Sequence, residues 1–126
     1  MPRLAEFSLR HPATFEEAAS LLATEPDARV IAGGTALVAN LRLGLGRPAS
    51  LVSLERIPGL DKIEVSAQEL RFGAGVTLAR LATDPAVRAN LPALAQAALT
   101  VAGPSHRSAA TLGGNLCLDT RCVYYN

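Results

Sequence analysis

Several features are scarce in this sequence, and each scarcity excludes something. No stretch approaches the ~20 consecutive apolar residues needed to cross a bilayer. The amino terminus, Met1-Pro2-Arg3-Leu4-Ala5-Glu6-Phe7, carries no apolar run long enough for a signal peptide. Only two cysteines occur in 126 residues. Without an export signal, that points to a reducing, cytoplasmic setting in which a structural disulfide is not expected. Charge of one sign is also lacking: twelve basic against eleven acidic side chains leave a net charge of +1. Arg29, Arg42, Arg47, Arg56 and Arg71 are scattered, and aromatics make up only 4%. No basic, aromatic-laced surface for nucleic acid or an anionic membrane follows from this. Internal repeats and low-complexity tracts are absent, and no glycine-rich turn ends in the Gly-Lys-Ser/Thr of a P-loop.

What is present is an ordinary globular composition, 49% hydrophobic and 18% charged, in a chain long enough for one domain or two small lobes. Thr14-Phe15-Glu16-Glu17 reads as a capping box. Phe15, Ala18, Ala19, Leu21 and Leu22 then follow at helical spacing, predicting a helix that ends near Thr24. A strand is expected over 28–31, a short helix over 37–43 stopped by Gly44 and Gly46, and a strand over 51–54. Alternating polarity over 62–65 and 70–72, with Ser66-Ala67-Gln68 between, predicts a hairpin or short meander. Thr77 caps an expected helix over 78–82, and Asp84-Pro85 and Asn90-Leu91-Pro92 mark two further helix starts. The last of these leads an Ala/Leu-rich helix over 93–101, expected to be largely buried and stopped by Gly103-Pro104. A change of lobe is expected near 55–62, giving an α/β lobe over 1–58 and the start of a second α+β lobe over 59–126. Cys122-Val123-Tyr124-Tyr125-Asn126 stops in mid-pattern, so the expectation is a chain cut from a longer protein.

Three glycine-rich turns are the candidates for a ligand. Ala32-Gly33-Gly34-Thr35 follows a strand and precedes a helix. Its glycines allow positive φ and close approach, and the N–H groups of Gly34, Thr35 and Ala36, with the Thr35 hydroxyl, could face an anion. Taken alone, this turn reads first as a bare strand-to-helix connection and only second as an anion site. Gly73-Ala74-Gly75-Val76-Thr77-Leu78 begins like a dinucleotide fingerprint. However, Leu78 occupies the third glycine position and no acidic residue stands ~20 residues further on, so a Rossmann site is rejected. Ala110-Thr111-Leu112-Gly113-Gly114-Asn115-Leu116 repeats the Gly-Gly chemistry between a hydroxyl and an amide. Two such loops in so short a chain suggest a ligand lying between two lobes.

In their order, Ile31-Ala32-Gly33-Gly34-Thr35, then Phe72 to Leu78, then Ala102-Gly103-Pro104 running into Thr111-Leu112-Gly113-Gly114-Asn115, resemble the motif series of FAD-binding subunits in the xanthine dehydrogenase and carbon monoxide dehydrogenase superfamily. The likeness covers essentially the whole chain. It implies the two-lobed α+β FAD-binding fold shared with vanillyl-alcohol oxidase relatives. It also implies that FAD relays electrons among partner subunits that carry a 2Fe-2S centre and a molybdenum cofactor. Within the superfamily, Ala102-Gly103-Pro104-Ser105-His106-Arg107 and Asn115-Leu116-Cys117-Leu118-Asp119-Thr120-Arg121-Cys122 most resemble the β-subunit family of 4-hydroxybenzoyl-CoA reductases. That resemblance implies electron flow toward molybdenum, with ferredoxin as a donor, and removal of an aromatic hydroxyl from a CoA thioester. Alternatives are a xanthine or carbon monoxide dehydrogenase-type subunit and a nucleotide-binding or assembly module without redox function.

Carried onto this sequence, the resemblance places Val30, Ile31, Ala32, Gly33, Gly34, Thr35 and Ala36 around the FAD pyrophosphate. It places Thr111, Leu112, Gly113, Gly114 and Asn115 on its other side and Val101 near the ring system. Ala36 stands where relatives often have aspartate, which keeps the backbone donors and removes a side-chain contact. Cys117 and Cys122 are too few for an iron–sulfur cluster or a closed zinc site. The reductase resemblance makes Cys122 the first ligand of a 4Fe-4S cluster whose other ligands would lie beyond Asn126, and Cys117 part of a packed segment. Adjacent Ser105 and His106 lack an orienting acid, so no catalytic residue is assigned. His106 is expected as a loop residue or a wall of the flavin site, His11 at the surface, and Asp119 with Arg121 as a solvated or interface pair.

Overall fold

The computed structural model describes residues 4–120 and 122–124. Chain order begins with β1 (Ser8–Arg10), α1 (Phe15–Thr24), β2 (Arg29–Ile31), α2 (Leu37–Arg42) and β3 (Ser50–Ser53). The α1 cap forms as a hydroxyl-and-carboxylate pair. The Thr14 hydroxyl accepts from the Glu17 N–H at 3.1 Å, and the Glu17 carboxylate accepts at 2.8 Å from Ala13, one residue earlier than in the usual box. Of the apolar positions on α1, Ala18 and Leu21 pack toward Val52 and Ile57, while Phe15 and Leu22 are exposed.

β1, β3 and β2 form a parallel sheet in that order, with Leu9 opposite Leu51 and Val30 opposite Val52. The central position explains β3, whose four residues are all buried: it is paired on both edges and covered by α1. β1 was not anticipated. All three of its residues are exposed, so hydrophobic alternation gives no sign of it, and pairing to β3 alone defines it. α2 ends at Gly44 and Gly46, both at positive φ, 78° and 95°.

The hairpin of β4 (Ile63–Val65) and β5 (Leu70–Phe72) pairs Ile63 with Phe72. Its turn is closed by Ser66, whose hydroxyl accepts from Gln68 and Glu69 N–H groups and donates to the Glu69 carbonyl. Three helices follow, α3 (Leu78–Thr83), α4 (Pro85–Asn90) and α5 (Pro92–Thr100). The Thr77 hydroxyl caps α3 through the Arg80 N–H at 3.2 Å, and the Asp84 carboxylate caps α4 through Ala86 and Val87 at 2.9 and 3.1 Å. Val76, Leu78, Leu81, Ala82, Val87, Ala95, Ala98 and Ala110 make the larger core.

Several expectations need correction. α5 is not largely buried: Ala95 and Ala98 are, but Leu99 is 53% exposed, because α5 turns only one face to α3 and α4. Gly103-Pro104 ends α5, yet Pro104 also occupies the first position of α6 (Pro104–Ala109); the fixed φ of proline suits a first turn as well as a stop. The Thr111–Asn115 segment is not an open loop but α7 (Leu112–Leu116), capped by Thr111. His11 is half-buried rather than at the surface, with Nδ1 enclosed and no partner among the described residues. Among the described residues, no helix is long and apolar enough to cross a membrane.

Candidate functional site

The three glycine motifs converge, and the middle one is the scaffold. An ideal Cβ on Gly73 would lie 2.1 Å from the Leu60 carbonyl oxygen, so only glycine fits there. Gly75 donates its N–H to that same oxygen at 2.7 Å. The carbonyls of Ala74 and Val76 accept from Gly113 and Leu112, both at 2.8 Å, and Leu78 donates to Ala110 at 2.9 Å. An antiparallel bridge joins Thr77 and Thr111. The Gly73–Thr77 turn therefore grips α7 through its backbone.

Most donors of the Thr111–Asn115 segment are engaged within the protein. Besides Leu112 and Gly113, the Gly114 N–H donates to the Thr111 hydroxyl at 3.1 Å and the Asn115 N–H to the Thr111 carbonyl at 3.0 Å. The Asn115 side-chain amide also donates to that carbonyl. What this segment can still offer a ligand is the Thr111 N–H and hydroxyl proton, the Asn115 Oδ1 and the shape of its glycine backbone.

The first turn is different. Gly34 sits at φ 71°. Among the described residues, nothing accepts from the N–H groups of Gly33, Gly34, Thr35 or Ala36. Gly33 packs directly on the end of α6, where an ideal Cβ would lie 1.8 Å from the Ala109 carbonyl oxygen and 3.2 Å from the Ala110 nitrogen. The first Gly-Gly pair thus lies against the α6–α7 junction, immediately before Thr111. An open cleft of ≈ 400 Å³ runs beside it, walled by Gly33, Gly34, Thr35, Val38 and Ala39, with Arg42 and His106 completing the lining. Among the described residues, no carboxylate lines this cleft. Free N–H donors next to positive charge suit an anionic group such as a pyrophosphate.

The structure therefore brings together Gly33 to Ala36 and the approach to Thr111. Val30 and Ile31 lie behind them in β2. Val101 stands at the end of α5, half-buried against the larger core. Its carbonyl and that of Ala102 accept from Arg107 Nη1 at 3.0 and 2.6 Å, pinning Ala102 at φ 45°. Sequence reading missed this anchoring role of Arg107, and it missed Arg42 as a cleft residue. The i, i+4 relation of Arg42 to Val38 on α2 was the available signal. His106 lies on α6, not in a loop.

Comparison with known proteins decides the family. Residues 5–122 match the model described as "FAD binding domain in molybdopterin dehydrogenase". The chain belongs to this family. It is 39% identical to the nicotine 6-hydroxylase medium subunit of Paenarthrobacter nicotinovorans over 83% of this chain and 37% of that subunit. It is 34% identical to the carbon monoxide dehydrogenase medium chain of Hydrogenophaga pseudoflava over 87% of this chain and 39% of that one. In three dimensions it superposes on quinoline 2-oxidoreductase from Pseudomonas putida 86 with a TM-score of 0.87 and 41% identity, covering 91% of this chain and 40% of that one. The chain thus spans about two fifths of the length of these relatives, and it shares the mixed helix and sheet architecture of the superposed structure.

The remaining candidates are not among the residues lining the cleft, although Cys117 caps α7 and donates its N–H to the Gly113 carbonyl at 3.0 Å. Cys117 and Cys122 are free and both exposed, so Cys117 is not part of a packed segment. Among the described residues, no group of three or more potential ligand side chains surrounds either. Asp119 is exposed, and Arg121, its expected partner, lies outside the described residues.

Proposed function

We propose that this chain forms the amino-terminal part of the FAD-binding, electron-transfer subunit of a cytoplasmic molybdenum-containing oxidoreductase, with the first Gly-Gly turn as the seat of the pyrophosphate. The observation that carries this reading is the set of uncommitted N–H groups from Gly33 to Ala36, held against the α6–α7 junction in a protein of an FAD-binding family. In this reading Val30 to Ala36 shape one side of the site. Thr111, Leu112, Gly113, Gly114 and Asn115 shape the other, chiefly as a rigid wall, and Val101 stands toward the ring system. Bound FAD supplies the electron-transfer chemistry, and the protein positions it and excludes alternatives. Substrate conversion belongs to a molybdenum-cofactor partner, with a 2Fe-2S subunit in the same complex.

Two hydrophobic clusters, one around Val52 and one around Leu81, support a two-lobed arrangement with lobes over 1–58 and 59–126, of the kind shared with vanillyl-alcohol oxidase relatives. The motif residues 102–107 and 115–122 favour the 4-hydroxybenzoyl-CoA reductase type, in which ferredoxin serves as donor and Cys122 as the first ligand of a 4Fe-4S cluster. The exposed, unpaired thiol of Cys122 is compatible with that role. The relatives named above favour instead an ordinary hydroxylase-type dehydrogenase subunit, which has no use for a ligand at Cys122. Absorption spectra and iron analysis of the complete protein that carries this chain separate the two. Flavin with about four irons per chain supports the reductase type, and flavin without iron supports the dehydrogenase type. Well-folded protein that takes up no flavin would overturn the proposal itself.

A further inference from the structure

We infer that Arg42 and His106 form a two-sided clamp that selects for the phosphate charge of the ligand in the Gly33–Ala36 cleft. This rests on the reading of that cleft as the FAD pyrophosphate site. Arg42 comes from α2, on the face that also presents Val38 and Ala39 to the cleft. His106 comes from α6. That helix is fixed at two points: by the packing of Gly33 on the Ala109 carbonyl, and by the Arg107 guanidinium bound to the Val101 and Ala102 carbonyls.

Neither clamp side chain is used to hold the fold. Among the described residues, the ion pairs are Arg10 with Glu25 and Arg71 with Glu69. Among the described residues, no hydrogen bond is made by the Arg42 or His106 side chain, and no carboxylate in the cleft lining neutralises Arg42. An arginine presents a planar, permanently charged fork suited to phosphate oxygens. An imidazole adds a ring N–H donor. Together they supplement the backbone donors, which recognise an oxyanion but carry no net charge. Ala36 itself offers a ligand no side-chain hydrogen bond.

The test measures dissociation constants of FAD, ADP and riboflavin on the flavin-free complete protein, by quenching of flavin fluorescence and by calorimetry. Arg42→Gln, His106→Leu and Ala39→Glu are compared with the parent protein. The clamp predicts that FAD and ADP weaken by a common factor, about tenfold for Arg42→Gln and about threefold for His106→Leu. Charge-assisted hydrogen bonds in an open cleft fall at the low end of their range. Riboflavin, which lacks phosphate, should be unchanged, and the melting temperatures should match the parent's. Added salt should weaken FAD in the parent and have less effect in Arg42→Gln.

Equal weakening of FAD and riboflavin would overturn the inference, because the side chains would then act on the ring or on the fold. Unchanged FAD binding in both Arg42→Gln and His106→Leu would also overturn it, while leaving the site in place if Ala39→Glu, which puts a carboxylate into the cleft, still expels FAD. Indifference of FAD to Ala39→Glu would remove the cleft as the site, and the clamp with it.

Discussion

The two Gly-Gly segments of this chain look alike on paper and do different work. Gly33-Gly34 is followed by a hydroxyl and Gly113-Gly114 by an amide, and each pair precedes or opens a short helix. In the first, four successive N–H groups have no acceptor among the described residues. In the second, the N–H groups of Leu112, Gly113, Gly114 and Asn115 are all bonded within the protein. The difference arises from what lies alongside. Gly113 is flanked by the carbonyls of Ala74 and Val76, which the Gly73 turn aims at α7. Gly33 meets Ala109 through van der Waals contact, which uses none of its hydrogen-bonding capacity. A glycine pair therefore shows where backbone comes close, and the neighbouring carbonyls decide whether its donors remain for a ligand.

Four substitutions would break or sharpen that contrast. Gly33→Ala should be the most damaging, since its Cβ would sit 1.8 Å from the Ala109 carbonyl oxygen. Backbone cannot rotate aside, so the loss should exceed the ~1–3 kcal/mol of ordinary overpacking. Urea unfolding of the complete protein should show it, together with loss of FAD binding. Gly113→Ala meets Ala74 at 2.8 and 2.9 Å. It should cost about 1–3 kcal/mol in the same assay, with flavin affinity falling less than in the first variant.

Thr111→Val removes the α7 cap and leaves the Gly114 N–H without its acceptor, so a stability loss of about 1 kcal/mol is expected. Thr35→Val should move stability by less than about 0.5 kcal/mol, because its hydroxyl holds no described residue. If the hydroxyl serves the ligand, FAD should weaken about tenfold by fluorescence titration. Equal stability losses in the two threonine variants would erase the contrast between the segments.

Much of the fold was legible because its signals are local. Thr14 with Glu17, Thr77, and Asp84 before Pro85 each announce a helix start through a side chain that satisfies a nearby N–H. All three caps formed within a residue of expectation. What escaped was set by contacts distant in sequence. β1 exists through its pairing with β3 some forty residues on, and α7 through the Gly73 turn that receives it. Leu99 faces water because α5 shares only one side with its neighbours. Likewise, the second loop looked rich in free donors because a sequence does not show which carbonyls will arrive opposite them.

The sequence by itself determined the starts of α1, α3 and α4 and the hairpin of β4 and β5, since capping and short-range alternation act over a few residues. Its motif order also pointed to the FAD-binding family, which comparison then established. Only the tertiary structure decided that the first Gly-Gly turn keeps its donors while the other gives them up. It also decided that Arg42 and His106, 64 positions apart, face the same cleft. Both outcomes depend on how α6 and α7 dock against the β2–α2 turn, a matter of packing between segments that no local pattern encodes.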